Sequence, residues 1–140
     1  MTLASPATPV QGTPSRTLAR RIGIAISALV GAFLAFDAIG KLVLPDAVRE
    51  GTVALGFPVG QALVMGIVLG VCVVVYAVPR TAVLGALGIT AYLGGAVTAN
   101  MRVEAPLLTH TLFAAFFGVL MWIGLVLRRP ELLKVAGLTR

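Results

Sequence analysis

Four apolar blocks, each close to the length that crosses a bilayer as a helix, decide what this chain can become. They run over residues 22–44, 60–78, 81–99 and 107–127, and inside them only Asp37 and Lys41 carry a formal charge. About 20 residues rising 1.5 Å each span a hydrocarbon core roughly 30 Å thick. No water reaches that core to pair with backbone N–H and C=O groups, so a crossing segment must close its own hydrogen bonds as a helix. Strands are excluded on that ground despite the abundant valine. Composition agrees, since 59% of the 140 residues are hydrophobic, 11% are charged and mean hydropathy is +1.02, well beyond an ordinary soluble domain. The expected fold class is all-α: an integral membrane four-helix bundle with a disordered N-terminal tail.

The blocks set the boundaries. Residues 1–20 are expected to form a disordered cytoplasmic tail, because the first fifteen contain three prolines and no charge and hold too little apolar surface to order themselves. Arg16, Arg20 and Arg21 ahead of an apolar run look like the start of a signal peptide. That run continues to Leu44, too long for a cleavable hydrophobic region of roughly 7–15 residues, and reads as a retained first span. Residues 21–129 then form the transmembrane domain and 130–140 a short cytoplasmic tail. Pro79, Arg80 and Thr81 leave room only for a tight turn, so the second and third helices should be antiparallel neighbours. The connection over 45–59 opens on Pro45-Asp46 and stops at Gly56 and Pro58. It reads as a solvated turn with one interfacial helical segment, or as a lid over a site.

Charge placement gives an orientation. A net charge of +6 could suggest a nucleic-acid partner, but here the basic residues punctuate apolar blocks instead of clustering on one reading face. With four spans, Arg16, Arg20, Arg21, Arg80, Arg128, Arg129, Lys134 and Arg140 share one side, and Arg49 and Arg102 face the other. Lys and Arg resist translocation, so both termini of this multi-pass cell-membrane protein are expected in the cytoplasm.

Asp37 and Lys41 are the most informative side chains, because an ionisable group within a span costs about 2.5–3.5 kcal/mol and normally faces protein or water. Their i, i+4 spacing, acid first, is the favourable order for a helical ion pair. The expected topology brings Asp37, Lys41, Tyr92, Asn100, Arg102 and His110, with Thr109 and Thr111, to one level in the outer half of the bundle. The cytoplasmic half is expected to hold almost no internal polar group. His110, the single histidine, could bond Asp37 or Tyr92 or move a proton, but one histidine makes neither a haem nor a zinc site, so no metal is expected. Cys72, alone and without a basic neighbour, reads as packing, as does Trp122. Gly66 with Gly70, Ala91 with Gly95, and the Gly94-Gly95 pair are spaced for close helix approach, within the chain or in an oligomer. Phosphate-binding glycine loops, nucleophile elbows and hydrolase carboxylate pairs are absent from the sequence.

The stretch Phe36-Asp37-Ala38 with Lys41 and Pro45, then Leu55-Gly56-Phe57-Pro58, resembles the opening of DoxX-like membrane proteins. So does the second half: the run from Pro79 to Ala86, Tyr92-Leu93-Gly94-Gly95-Ala96, Arg102, Pro106-Leu107 and His110-Thr111-Leu112-Phe113. The resemblance covers roughly residues 22–128 and implies a compact four-helix membrane bundle. It implies much less about activity: the family name derives from a subunit of a thiosulfate:quinone oxidoreductase, and some relatives are described as membrane partners of redox enzymes. Relatives often carry His where this chain has Asn100, so a proton-transfer role for that residue does not carry over. The resemblance and the polar level together suggest a redox-associated subunit holding a quinone beside a membrane redox partner protein. A non-catalytic membrane scaffold or stress-associated subunit, with a purely structural polar level, is the alternative. A small transporter is weaker, because no repeat symmetry or broken helix is visible. The ligand, the partner and whether the chain is catalytic are not set by the sequence.

Overall fold

The structure, a computed structural model, describes residues 14–106 and 111–138. Among them every regular element is helical: α1 (Pro14–Val43), α2 (Asp46–Ala54), α3 (Val59–Ala77), α4 (Ala82–Arg102), α5 (Leu112–Arg128) and α6 (Glu131–Val135). Helix α1 packs on α3 and α5, and α4 packs on the same two, so α1 and α4 sit across the diagonal of a four-helix bundle. Neighbours run antiparallel. Ser27 meets Tyr76 while Lys41 lies beside Gly66, and Gly124 abuts Ser27 while Phe113 and Phe117 reach Phe33.

Helices α1, α3 and α4 are long and apolar enough to cross a membrane. Helix α5 is also apolar and has 17 residues, shorter than those three; residues 107–110, at the start of the fourth block, lie outside the described residues. The outer surface carries Leu29, Phe36, Val64, Val71, Val74, Leu84 and Val119, all more than half exposed. Water would penalise such a surface, whereas lipid solvates it. The chain is a membrane-embedded helical bundle. Its core joins all four long helices through Val30, Leu34, Leu69, Val73, Ile89, Met121 and Leu125.

The element ends follow local chemistry. Helix α1 opens on Pro14, suited to a first turn because the N–H it lacks would be unpaired there. Residues 14–20, expected in the tail, therefore form the first turns of α1; the rest of that tail, residues 1–13, lies outside the described residues. At 30 residues, α1 is about 45 Å long, which carries Arg16, Arg20 and Arg21 beyond a hydrocarbon core roughly 30 Å thick. Helix α2 ends in a Schellman motif: Phe57 N–H bonds Thr52 C=O at 3.1 Å and Gly56 N–H bonds Val53 C=O at 2.8 Å, with Gly56 at φ 79°. The residues expected as a short C-terminal tail contain α6, whose Leu132 packs against the core.

Two approaches need glycine. A Cβ on Gly85 would fall on the backbone N and Cα of Tyr76, so α3 and α4 touch where they leave their turn. A Cβ on Gly66 would lie 2.9 Å from the Lys41 Cβ and 3.0 Å from the Ala38 carbonyl, which fixes α3 against α1. Gly94 and Gly95, also expected at close contacts, face open space.

Candidate functional site

The last turns of α1 place Asp37 and Lys41 on one face. Lys41 Nζ donates to both carboxylate oxygens of Asp37, at 2.5 and 2.6 Å, so the two charges neutralise each other within one helix. The pair lines a cavity of about 490 Å³ between α1, α4 and α5, to which Leu55 and Phe57 from the loop after α2 and Met65 of α3 also contribute. From α4, Tyr92 lines this cavity within electrostatic reach of the Asp37 carboxylate. Asn100 lines it too, its Nδ2 donating to the Ala96 carbonyl at 2.8 Å, which turns the amide back along its own helix.

Part of the cavity wall is aromatic. Phe33 of α1 stacks on Phe117 of α5 with ring centroids 4.3 Å apart and an interplanar angle of 26°, and Phe113 meets Phe33 edge-on at 5.5 Å. Phe113 and Phe117 are not among the residues expected at the site from the sequence; their i, i+4 spacing puts them on one face of α5, but what they face depends on how α5 packs against α1. The cavity thus combines a hydrogen-bonding ion pair with apolar aromatic rings, so it offers both polar and flat apolar contacts.

Asp37, Lys41, Tyr92 and Asn100 therefore come together as their order along the chain suggests. Arg102 does not line the cavity. Its Nη2 donates to the Leu55 carbonyl at 2.9 Å and its guanidinium sits 5.7 Å from the Phe57 ring centroid, which ties the end of α4 to the loop after α2. His110 and Thr109 lie outside the described residues. Thr111 is buried, and its hydroxyl has no hydrogen-bond partner among the described residues.

The other half of the bundle is not free of internal polar groups. Ser27 is 5% exposed and accepts a hydrogen bond from the Tyr76 hydroxyl at 3.0 Å; that hydroxyl also lies 3.4 Å from the Met121 carbonyl. Burial of these groups between three helices is affordable because they satisfy one another. Trp122 Nε1 donates to Thr90 Oγ1 at 2.9 Å, which links α5 to α4. Cys72 packs against α4, with Gly88 leaving room for its sulfur.

A family model described as the DoxX-like family matches residues 25–124, most of the chain and nearly all of its bundle. The chain belongs to the DoxX-like family. No curated protein and no solved structure matches it. The DoxX-like match takes in Asp37, Lys41, Tyr92, Asn100 and the aromatic wall, and leaves out Arg128 and Arg129 at the end of α5.

Proposed function

We propose that this is a multi-pass protein of the cell membrane whose cavity between α1, α4 and α5 holds a quinone-type ring, making it a redox-associated membrane subunit. The observation that carries the reading is the Asp37–Lys41 pair sharing one cavity with the rings of Phe33, Phe113 and Phe117. Lys41 and the Tyr92 hydroxyl can donate to ring carbonyls while the Phe33, Phe113 and Phe117 cluster supplies apolar contact to the ring. A redox partner protein would supply or collect the electrons, and both termini lie in the cytoplasm by the distribution of Lys and Arg.

The full chain purified in mild detergent from membranes containing quinone tests this reading. Extraction and mass spectrometry should find the quinone retained by wild type, and lost from Asp37→Ala and Phe117→Ala samples of matched helicity. Retention unchanged by both substitutions, or no quinone in wild type, defeats it. A second reading takes the polar level as structural and the protein as a membrane scaffold. It is favoured by the closure of the ion pair on itself, since Lys41 already spans both oxygens of Asp37.

A further inference from the structure

The opposite end of α1 from the Asp37–Lys41 pair carries a second cavity, of about 640 Å³, unrelated to the proposed quinone site. Arg20 of α1 and Arg128 and Arg129 at the end of α5 rim it, and no acidic residue lines it. Arg20 and Arg128 lie on different helices, so their convergence is a product of the packing of α1 against α5. Two of the three guanidinium groups are held by the fold: Arg129 donates through Nη2 to the Pro79 carbonyl, and Arg128 sits 6.0 Å from the Tyr76 ring centroid. Among the described residues, none of the three lies in an ion pair with a carboxylate.

Beneath this basic rim the cavity becomes apolar. It continues along α1 past Ala28, Gly31, Ala32 and Ala35, a run about 10 Å long at 1.5 Å per residue. A Cβ on Gly31 would meet nothing within 4 Å, so the groove is open there rather than filled by a neighbouring helix. A phosphate-sized anion fits the rim by charge, since guanidinium groups bind phosphate oxygens through directed N–H donors. An acyl chain fits the groove by its mostly apolar lining, since the hydroxyls of Ser27 and Tyr76, which also line the cavity, are bonded to each other.

We propose that this end of the bundle binds an anionic phospholipid, with its phosphate held between Arg20 and Arg128 and one acyl chain lying along α1 over Gly31 and Ala32. Arg129 fixes the α3–α4 turn that forms the edge of the site. The basic residues at this end do more than orient the chain. Two of them, Arg20 and Arg128, select a head group, whereas Arg16 and Arg80 at the same end do not line the cavity.

The test uses the full chain in mixed micelles containing equal phosphatidylglycerol and phosphatidylcholine, with lipid retained through delipidation quantified by mass spectrometry. Wild type should retain phosphatidylglycerol about tenfold over phosphatidylcholine, as expected for two arginines near one anionic head group. Arg20→Gln with Arg128→Gln should bring the ratio close to one, whereas Arg16→Gln with Arg80→Gln, an equal loss of charge, should leave it unchanged. Ala32→Phe, which fills the groove and leaves every arginine in place, should also lower retention, and it serves if the first pair fails to fold. Equal retention of both lipids by wild type, or a preference that survives the Arg20 and Arg128 substitutions and Ala32→Phe, overturns the site. Full displacement of phosphatidylglycerol by millimolar inorganic phosphate would identify free phosphate as the ligand and overturn the lipid assignment.

Discussion

Removing one charge from the Asp37–Lys41 pair should cost more than removing both. The Lys41 side chain is 19% exposed and that of Asp37 40%, so the pair lies between a solvated ion pair and a fully buried one. Asp37→Asn strands an ammonium beside an aromatic cavity and should lower stability by about 2 kcal/mol, between the values typical of those two extremes. Asp37→Asn combined with Lys41→Met removes the stranded charge and should return stability to within about 1 kcal/mol of wild type if the pair only fixes packing. Equilibrium unfolding in mixed micelles measures both; a double variant that recovers stability yet loses bound quinone would favour the ligand reading over the scaffold. Tyr76→Phe should cost about 1 kcal/mol in the same assay, because it leaves the buried Ser27 hydroxyl without its donor. These two polar contacts were not equally legible in the sequence. Asp37 and Lys41 share a helix, so spacing alone pairs them. Ser27 and Tyr76 are 49 positions apart, and their meeting depends on the register of α1 against α3, which is set by the path of the connection between them.

Helix contacts depend on where a Cβ can be accommodated. Gly85→Ala would force a methyl group into the Tyr76 backbone, and neither α3 nor α4 can move away while the tight turn joins them. The expected loss is at least about 2 kcal/mol, at the upper part of the range for overpacking. Gly94→Ala meets open space in the same helix and should stay within about 0.5 kcal/mol of wild type or gain slightly from its higher helix propensity. Thermal unfolding of the two variants side by side checks the pair; equal effects would mean that the α3–α4 contact is looser than its geometry. The blocks of hydrophobic sequence located α3 and α4 to within a few residues, because apolar composition marks the bilayer. It does not mark helix ends, so α1 begins at Pro14, ahead of its apolar block, and α4 runs on to Arg102. Small-residue spacing identified Gly66 but not Gly85, since any glycine on a span fits the pattern and only the partner helix decides which one is needed.

At the scale of the whole molecule, the apolar residues outside the core are as informative as those within it. Val68 lies at the middle of α3 and is 47% exposed, while Leu69 beside it is fully buried. In a soluble bundle, Val68→Arg would place a charge on a wet surface and change stability by no more than about 0.5 kcal/mol. In a bilayer the same arginine sits at the depth of greatest cost, about 2.5–3.5 kcal/mol by insertion scales, because α3 has the length of one span and little freedom to slide. Arginine at position 60, the first turn of the same helix, can reach the head groups with its long side chain and should cost far less. The expected result is a sharp fall in membrane-inserted, carbonate-resistant protein for Val68→Arg and a near-normal yield for Gly60→Arg. Equal yields of the two would mean that α3 does not cross the hydrocarbon core in this register. A fall for both would point to loss of the bundle itself, which the helicity of the purified Gly60→Arg protein would reveal. The depth dependence ties the outward-facing valines of α3 to lipid, because only a solvent without water makes an exposed charge expensive in the middle of a helix and tolerable at its end.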